Sequence, residues 1–372
     1  MKSAAANGSA PSIENELLVC SVRPSVSTEI SERIKSLLRQ SLDWNYLIEV
    51  ANEHRIIPVF YDRLQGYQDF VPAAPLAELK ERYHRISNSN LGLTGKLLKL
   101  LALLREHDIA AIPYKGPALA QGAYGDIRLR QFTDLDILVR KRDVYKVKDV
   151  LIANDCQPGW ALTKKQEAAV LRHYYEYPFL CNDRRVLVEI HWALAEQFFS
   201  FAFDVEQLWE RGETLFIQGK PLLTLSVEDA LLVACAHGSK HVWKRLGWIC
   251  DVAKLVSRRT DLDWELVIER ATALGLLRIV WLGLRLASDL LGTELPEAVS
   301  RQVCSDPAVK TIAERLEKRL FSADTVPGGT FAMTRLQLKM RERVTDRFNY
   351  CFRLVFMTKL VDSLFMPMGR PR

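Results

Sequence analysis

In QFTDLDILVRKRD, residues 131–143, two aspartates stand one residue apart inside an apolar run. Leu135, Ile137, Leu138 and Val139 suit a strand, and a charged cluster ends the run. Residues two apart on a strand share a face. Asp134 and Asp136 therefore sit side by side, roughly 6.5–7 Å apart, and only a cation or a shared proton relieves their repulsion. A third carboxylate, Glu189, lies mid-strand in VLVEIHWAL, among Val186, Val188, Ile190 and Trp192. An ionised glutamate there is costly unless it is paired or binds metal. If the two strands are neighbours, the three carboxylates make a hard oxygen site suited to magnesium or manganese. Their spacing brackets two ions about 3.5–4 Å apart, the separation of two-metal phosphoryl chemistry.

A phosphate site lies upstream in PYKGPALAQGAYG. A short strand ends at Lys115-Gly116, and Pro117 opens a helix. The glycine permits close backbone approach, the helix start offers free amides to phosphate, and Lys115 adds a charge. Arg130, just before the aspartates, either pairs with Asp134 or reaches phosphate. Farther on, HGSKHVWKRLGW presents Lys240, His241, Lys244 and Arg245 on a basic surface that faces phosphate, base or solvent. His237 and His241, four apart on one helix face, have zinc-ligand spacing but no identifiable third ligand. Trp192, Trp243 and Trp248 read as core. Cys235 and Cys250 lie on apolar faces without a catalytic histidine partner, which excludes a thiol enzyme.

The elements that must position these groups form an α-rich chain with a small mixed sheet in the middle. Residues 13–88 read as helices, for example SERIKSLLRQSL, from apolar spacing of three and four. Residues 89–222 alternate. They hold a helix capped at Asn88 or Ser89, the KG strand and turn, the DLDILV strand and a further helix. YYEYPFLCN and RRVLVEIHWAL then form a hairpin turning at Asn182-Asp183. Residues 223–372 are helical again, opening with a capping box from Ser226 to Asp229. The first twelve residues are small and polar and read as a disordered leader. Near the C-terminus Phe348, Phe352, Val355, Phe356, Leu360, Val361 and Leu364 fall at helical spacing. That stripe is expected to dock on the helical domain rather than on a membrane surface edged by Arg353, Lys359 and Arg370.

Composition bounds the partners. The 372 residues carry 51 basic and 45 acidic side chains, a net +6 that permits a polyanionic ligand without requiring one. A strongly basic groove for stable nucleic-acid binding is not indicated. Seven cysteines without CxxC spacing argue against a disulfide scaffold and a zinc ribbon, and point to a reducing compartment. The most apolar helical stretch, 273–292, is interrupted by Arg278, Arg285 and Asp289, so no transmembrane span is expected.

The order KGPALAQGAYGDIRLRQFTDLDILV, VEIHWAL, HGSKHVWKRLGWICDVAKL resembles the polymerase-β-like nucleotidyltransferases. More narrowly, it is similar to an uncharacterised bacterial nucleotidyltransferase family. The likeness spans residues 14 to about 260. It departs from the superfamily in two places: the usual glycine-serine turn is Lys115-Gly116, and Glu189 stands where aspartate is common. The resemblance implies an α+β nucleotidyltransferase core at 89–222 between helical regions at 13–88 and 223–372. It implies a cytoplasmic, magnesium- or manganese-dependent transferase moving a nucleoside monophosphate from an NTP to an acceptor hydroxyl. Asp134, Asp136 and Glu189 would be the catalytic and metal-binding residues. Lys115, Gly116, Arg130, Lys240 and His241 would contact the nucleotide. The acceptor (sugar, peptide, protein or RNA) is not identified. The alternatives are a noncatalytic nucleotide-binding scaffold that keeps the fold, and a toxin-like transferase acting on RNA or protein.

Overall fold

The computed structural model describes residues 12–181, 185–194, 203–322, 329–352 and 354. The leader and the Asn182-Asp183 turn lie outside them, as do Arg353 and the C-terminal residues from Val355 onward.

The chain opens with four helices, α1 (Ile13–Ser21), α2 (Thr28–Leu38), α3 (Trp44–Glu53) and α4 (Ile57–Leu64). Three of them start as their sequences dictate: Ser12, Ser27 and Asp43 each accept an amide hydrogen bond at the first turn. A single long helix, α5 (Ala73–Glu106), follows and runs through residue 88. The polar run read as its cap is interior instead, because Asn90 is buried and ties down a distant loop. Its side-chain amide donates to the carbonyls of Ile127 (2.7 Å) and Arg130 (2.8 Å). A cap reading from Asn and Ser alone misses this, since an amide nitrogen bonded to two distant carbonyls gives the side chain a tertiary role inside the helix.

The central region supplies β1 (Ala111–Pro113), the short α6 (Gly116–Leu119), β2 (Asp134–Val139), α7 (Val144–Ala153), β3 (Cys156–Pro158), α8 (Lys164–His173), β4 (Glu176–Cys181) and β5 (Val186–His191). These strands form one mixed sheet in the order β1-β2-β5-β4-β3. β2 and β5 are parallel; the other three pairs are antiparallel, including the β4–β5 hairpin. Leu135, Ile137, Val139, Val188, Ile190, Tyr177 and Phe179 fill a core on one sheet face with α7. The opposite face carries the carboxylates.

After α9 (Val205–Glu210) and the hairpin β6 (Glu213–Ile217) and β7 (Lys220–Thr224), helices take over. These are α10 (Val227–Lys240), α11 (Leu246–Arg258), α12 (Trp264–Leu274), α13 (Leu277–Leu291), α14 (Glu297–Ser305), α15 (Pro307–Leu320) and α16 (Gly329–Met340). Ser226 accepts from the Asp229 amide as expected. Asp229 itself turns to Arg211 and Arg270. The first four helices and the last seven share one apolar core that includes Leu17, Phe60, Leu232, Trp243, Leu282 and Met340. No helix of the described residues is long and apolar enough to cross a membrane.

Two expectations need correction. Cys156 and Cys181, direct cross-strand partners on β3 and β4, are joined by a disulfide. A 25-residue separation gives no spacing signal for such a pair, so a reducing compartment does not follow from cysteine spacing. At the C-terminal end, Phe348 and Phe352 stack on each other but remain 69% and 50% exposed. Only these two members of the stripe are described, and both are exposed; the remaining members lie outside the described residues.

Candidate active site

Strand pairing decides what the three carboxylates can do. Asp136 is the register partner of Glu189 across the parallel β2–β5 pair, and Asp134 lies opposite Leu187. All three line one cavity of about 550 Å³, bounded by the sheet, the KG turn, the α3–α4 corner and the start of α11. Glu189 is only half-buried, since Val188 and Ile190 point to the other face.

The strand alternation also delivers a group that the initial reading left out. His191, two residues beyond Glu189, shares its face and is 1% exposed. Its Nε2 lies 3.2 Å from Asp136 Oδ1 and 3.7 Å from Glu189 Oε2, while Nδ1 lies 3.6 Å from Glu176 Oε2 on β4. Neither ring nitrogen has a well-directed hydrogen bond. Among the described residues, Asp136, Glu189 and His191 bring three ligand atoms within 4.8 Å of one another. Two carboxylates and one buried, underused imidazole form a donor set that fits a divalent cation, with manganese favoured by the nitrogen. The period-2 rule applied to VLVEIHWAL finds His191; Glu176 needs the β4–β5 register.

The electrostatics are uneven. Burial alone would raise the Asp136 carboxyl, yet Lys115 and His191 hold it far below the usual carboxylate range. Lys115 Nζ sits 2.7 Å from Asp136 Oδ1. Burial opposes the Lys115 charge, but Asp136 dominates and keeps the ammonium protonated. Asp134 shifts the other way: burial, then Asp136 and Glu189, push its carboxyl up. Glu176 is raised as well, by burial first. One carboxylate is thus satisfied without metal, and two are held under strain.

Gly116 has φ +48°, the left-handed region, and a Cβ there would meet the Asp134 carbonyl at 3.1 Å and the Phe132 ring at 3.8 Å. Gly116→Ala should therefore strain the turn and displace the first aspartate, costing roughly 1–2 kcal/mol of stability. Thermal unfolding with and without magnesium nucleotide will show it: the ligand-induced shift should shrink more than the apo melting temperature falls.

Arg130 pairs with neither Asp134 nor open solvent. Its guanidinium makes a two-point contact with Asp251 on α11, at 2.8 and 2.9 Å, and Tyr124 donates to the same carboxylate at 2.8 Å. The pair clamps the KG-to-DLD segment onto the C-terminal helices and borders the cavity. On the far wall Lys240 donates to the Tyr175 hydroxyl at 3.1 Å and lies over its ring. His241 stacks on Trp248, with centroids 4.9 Å apart. Trp248 packs against the core as expected and also lines the cavity, while Trp192 and Trp243 are buried. His237 and His241 are 4.7 Å apart at ring centroids, and burial pushes both below the usual imidazole range, His241 to about 4. Gly238 in the same motif has a packing reason: a Cβ would lie 2.5 Å from the Trp243 ring.

A family model described as an uncharacterised nucleotidyltransferase matches residues 40–292, more than half of the chain. The chain belongs to this family. The matched range includes the cavity-lining residues named above. No curated protein is significantly similar. Among solved structures, a crystal structure of ANT(2")-Ia in complex with adenylyl-2"-tobramycin is similar over 49% of this chain and 97% of that one. The identity is 14% and the TM-score 0.36, too low for the likeness to carry any argument.

Proposed function

We propose that the protein is a metal-dependent transferase that moves a nucleoside monophosphate from an NTP to an acceptor hydroxyl. The observation that supports this most is the cross-strand pairing of Asp136 with Glu189 beside Asp134, Lys115 and His191 in one cavity. Asp134, Asp136 and Glu189, with His191 as a nitrogen donor, are the residues to hold Mg2+ or Mn2+. When bound, the ions would neutralise charge on the reacting α-phosphoryl group and on the departing pyrophosphate.

The side chains then divide the work. Lys115 neutralises Asp136 in the free protein, and would be available to phosphate with a cation held at Asp136. Gly116 lets the turn approach the nucleotide. Lys240 and the His241–Trp248 stack form a wall for the base or the acceptor, with the imidazole neutral near pH 7. Arg130 is assigned to positioning, through Asp251. Glu189 accepts the acceptor's hydroxyl proton as the new oxygen–phosphorus bond forms and the bond to pyrophosphate breaks. The expected products are a nucleotidylated acceptor and pyrophosphate, so atoms and charge balance. Because nucleoside triphosphates are made and kept in the cytoplasm, we read the enzyme as cytoplasmic.

The acceptor is a sugar, peptide, protein or RNA. Small-molecule and macromolecular fractions of a cell extract, offered in turn with each α-labelled NTP and Mg2+, test the proposal. One fraction should yield a product heavier by one nucleoside monophosphate. Absence of any such product from every fraction and all four nucleotides counts against nucleotidyl transfer.

Breaking the Arg130 clamp should be structural in its effect. Arg130→Ala leaves Asp251 buried with the Tyr124 hydrogen bond but without its counter-charge, which costs about 3 kcal/mol. A melting temperature within a degree of the parent's would show that Arg130 is free to serve phosphate instead.

A further inference from the structure

Helices that end in a left-handed residue usually place glycine there, because a side chain crowds the backbone. Here α12 and α13 end in this way at Gly275 (φ +69°) and Gly292 (φ +64°), and α5 ends with Asp108. At the end of α3 the same position holds Arg55, with φ +56°. The capping pattern is complete: the Ile56 amide bonds the Ala51 carbonyl at 2.9 Å, and the Arg55 amide bonds that of Asn52 at 3.0 Å. A long charged side chain stands where glycine fits best. Broken local rules of this kind cluster at functional sites.

The corner is firmly anchored. The Leu246 amide donates to His54 Nδ1 at 3.0 Å, and the Gly247 amide donates to the His54 carbonyl at 3.1 Å. Gly247 is required for that approach, since a Cβ would lie 2.8 Å from the same carbonyl. This junction brings Arg55 into the cavity wall together with Arg245, which precedes α11. No carboxylate of the described residues forms an ion pair with either guanidinium; Arg245 lies over the Trp248 ring. Burial first, and then the neighbouring Arg245, raise the cost of the Arg55 charge, with Asp134 exerting a weaker opposing pull. Two half-buried like charges on one cavity wall suit an anionic ligand.

We propose that Arg55 and Arg245 form the subsite for the β- and γ-phosphates of the nucleotide, in the cavity that the carboxylates also line. This rests on the nucleotidyl-transfer reading above. Two planar guanidiniums suit a pyrophosphate group, which offers several acceptor oxygens to paired donors. The α3–α4 corner, in the helical region before the catalytic sheet, thereby takes part in substrate binding.

Arg55→Gly separates the binding role from the backbone role, because glycine adopts the left-handed corner without strain. Calorimetric titration with magnesium pyrophosphate, a probe independent of base, is the test, with Arg245→Ala measured in parallel. Both variants should weaken binding roughly ten- to hundredfold, the worth of a charge-assisted contact. The Arg55→Gly melting temperature should be unchanged or higher. Parent-like pyrophosphate affinity in Arg55→Gly would overturn the subsite, as would a lowered melting temperature that accounts for the loss. If the unaltered protein binds neither magnesium pyrophosphate nor any NTP, the nucleotidyl-transfer reading fails first and this subsite with it.

Discussion

Asp134→Asn and Asp136→Asn should change the stability of the free protein in opposite directions while both abolish transfer. Asp136 is 4% exposed, lies 2.7 Å from the Lys115 ammonium, and has a carboxyl held far below its ordinary range. A depressed carboxyl contributes stability above its unfolded pKa and loses it as pH falls through the folded value. Neutralising Asp136 removes that contribution and leaves Lys115 buried without its counter-ion, at a cost of about 3 kcal/mol. Asp134 has the reverse sign. Its carboxyl is raised by burial and by Asp136 and Glu189, so its ionised form already disfavours the native state near pH 7. Asp134→Asn should therefore hold or raise the apo melting temperature. Denaturant unfolding at pH 7 without metal checks both. Equal destabilisation by the two variants would mean that Asp134 is a structural residue. The Lys115→Met, Asp136→Asn double variant should recover much of the single variant's loss, because it removes both buried charges together.

Glu189→Gln should bind nucleotide nearly as well as the parent and lose turnover. Glu189 is the Asp136 partner across the strands, lines the same cavity and is more exposed than Asp136. A group that takes the acceptor's proton acts mainly in the transition state, so its loss falls on kcat rather than on substrate binding. The expected reduction is roughly a hundredfold to ten-thousandfold, the range for a lost general base. Turnover within about threefold of the parent would assign proton removal elsewhere, with Glu176 and His191 next in line.

The carboxylate trio was legible because strand alternation is a two-residue rule. Asp134 and Asp136 share a face whatever the register, and the apolar run around Glu189 marked its strand. The same rule places His191 on the Glu189 face, but its approach to Asp136 depends on the β2–β5 register. Register between distant strands was not legible. Nothing in EYPFLC places Glu176 opposite His191, since hairpin pairing depends on a turn whose geometry the sequence leaves open. Nor did local pattern show that α5 continues through Asn90, because the carbonyls that satisfy its amide come from a loop 37 to 40 residues away. The role expected for Arg130 changed for a similar reason: its partner, Asp251, is 121 residues distant, and charge alone does not choose between a carboxylate nearby in sequence and one brought by the fold. Arg55 carried no periodic signal at all. It stands out only once the backbone shows a left-handed arginine at a helix end.

The central claim is that chemistry occurs at the α-phosphorus of a nucleotide held by these carboxylates. It is tested most directly by supplying purified protein, Mg2+ and the responsive acceptor fraction with NTP labelled at either the α or the γ position. The account predicts that α label moves to the acceptor, that γ label leaves in pyrophosphate, and that Glu189→Gln does neither. Transfer of the γ label to the acceptor, or α labelling that survives in Glu189→Gln at the parent rate, would contradict it.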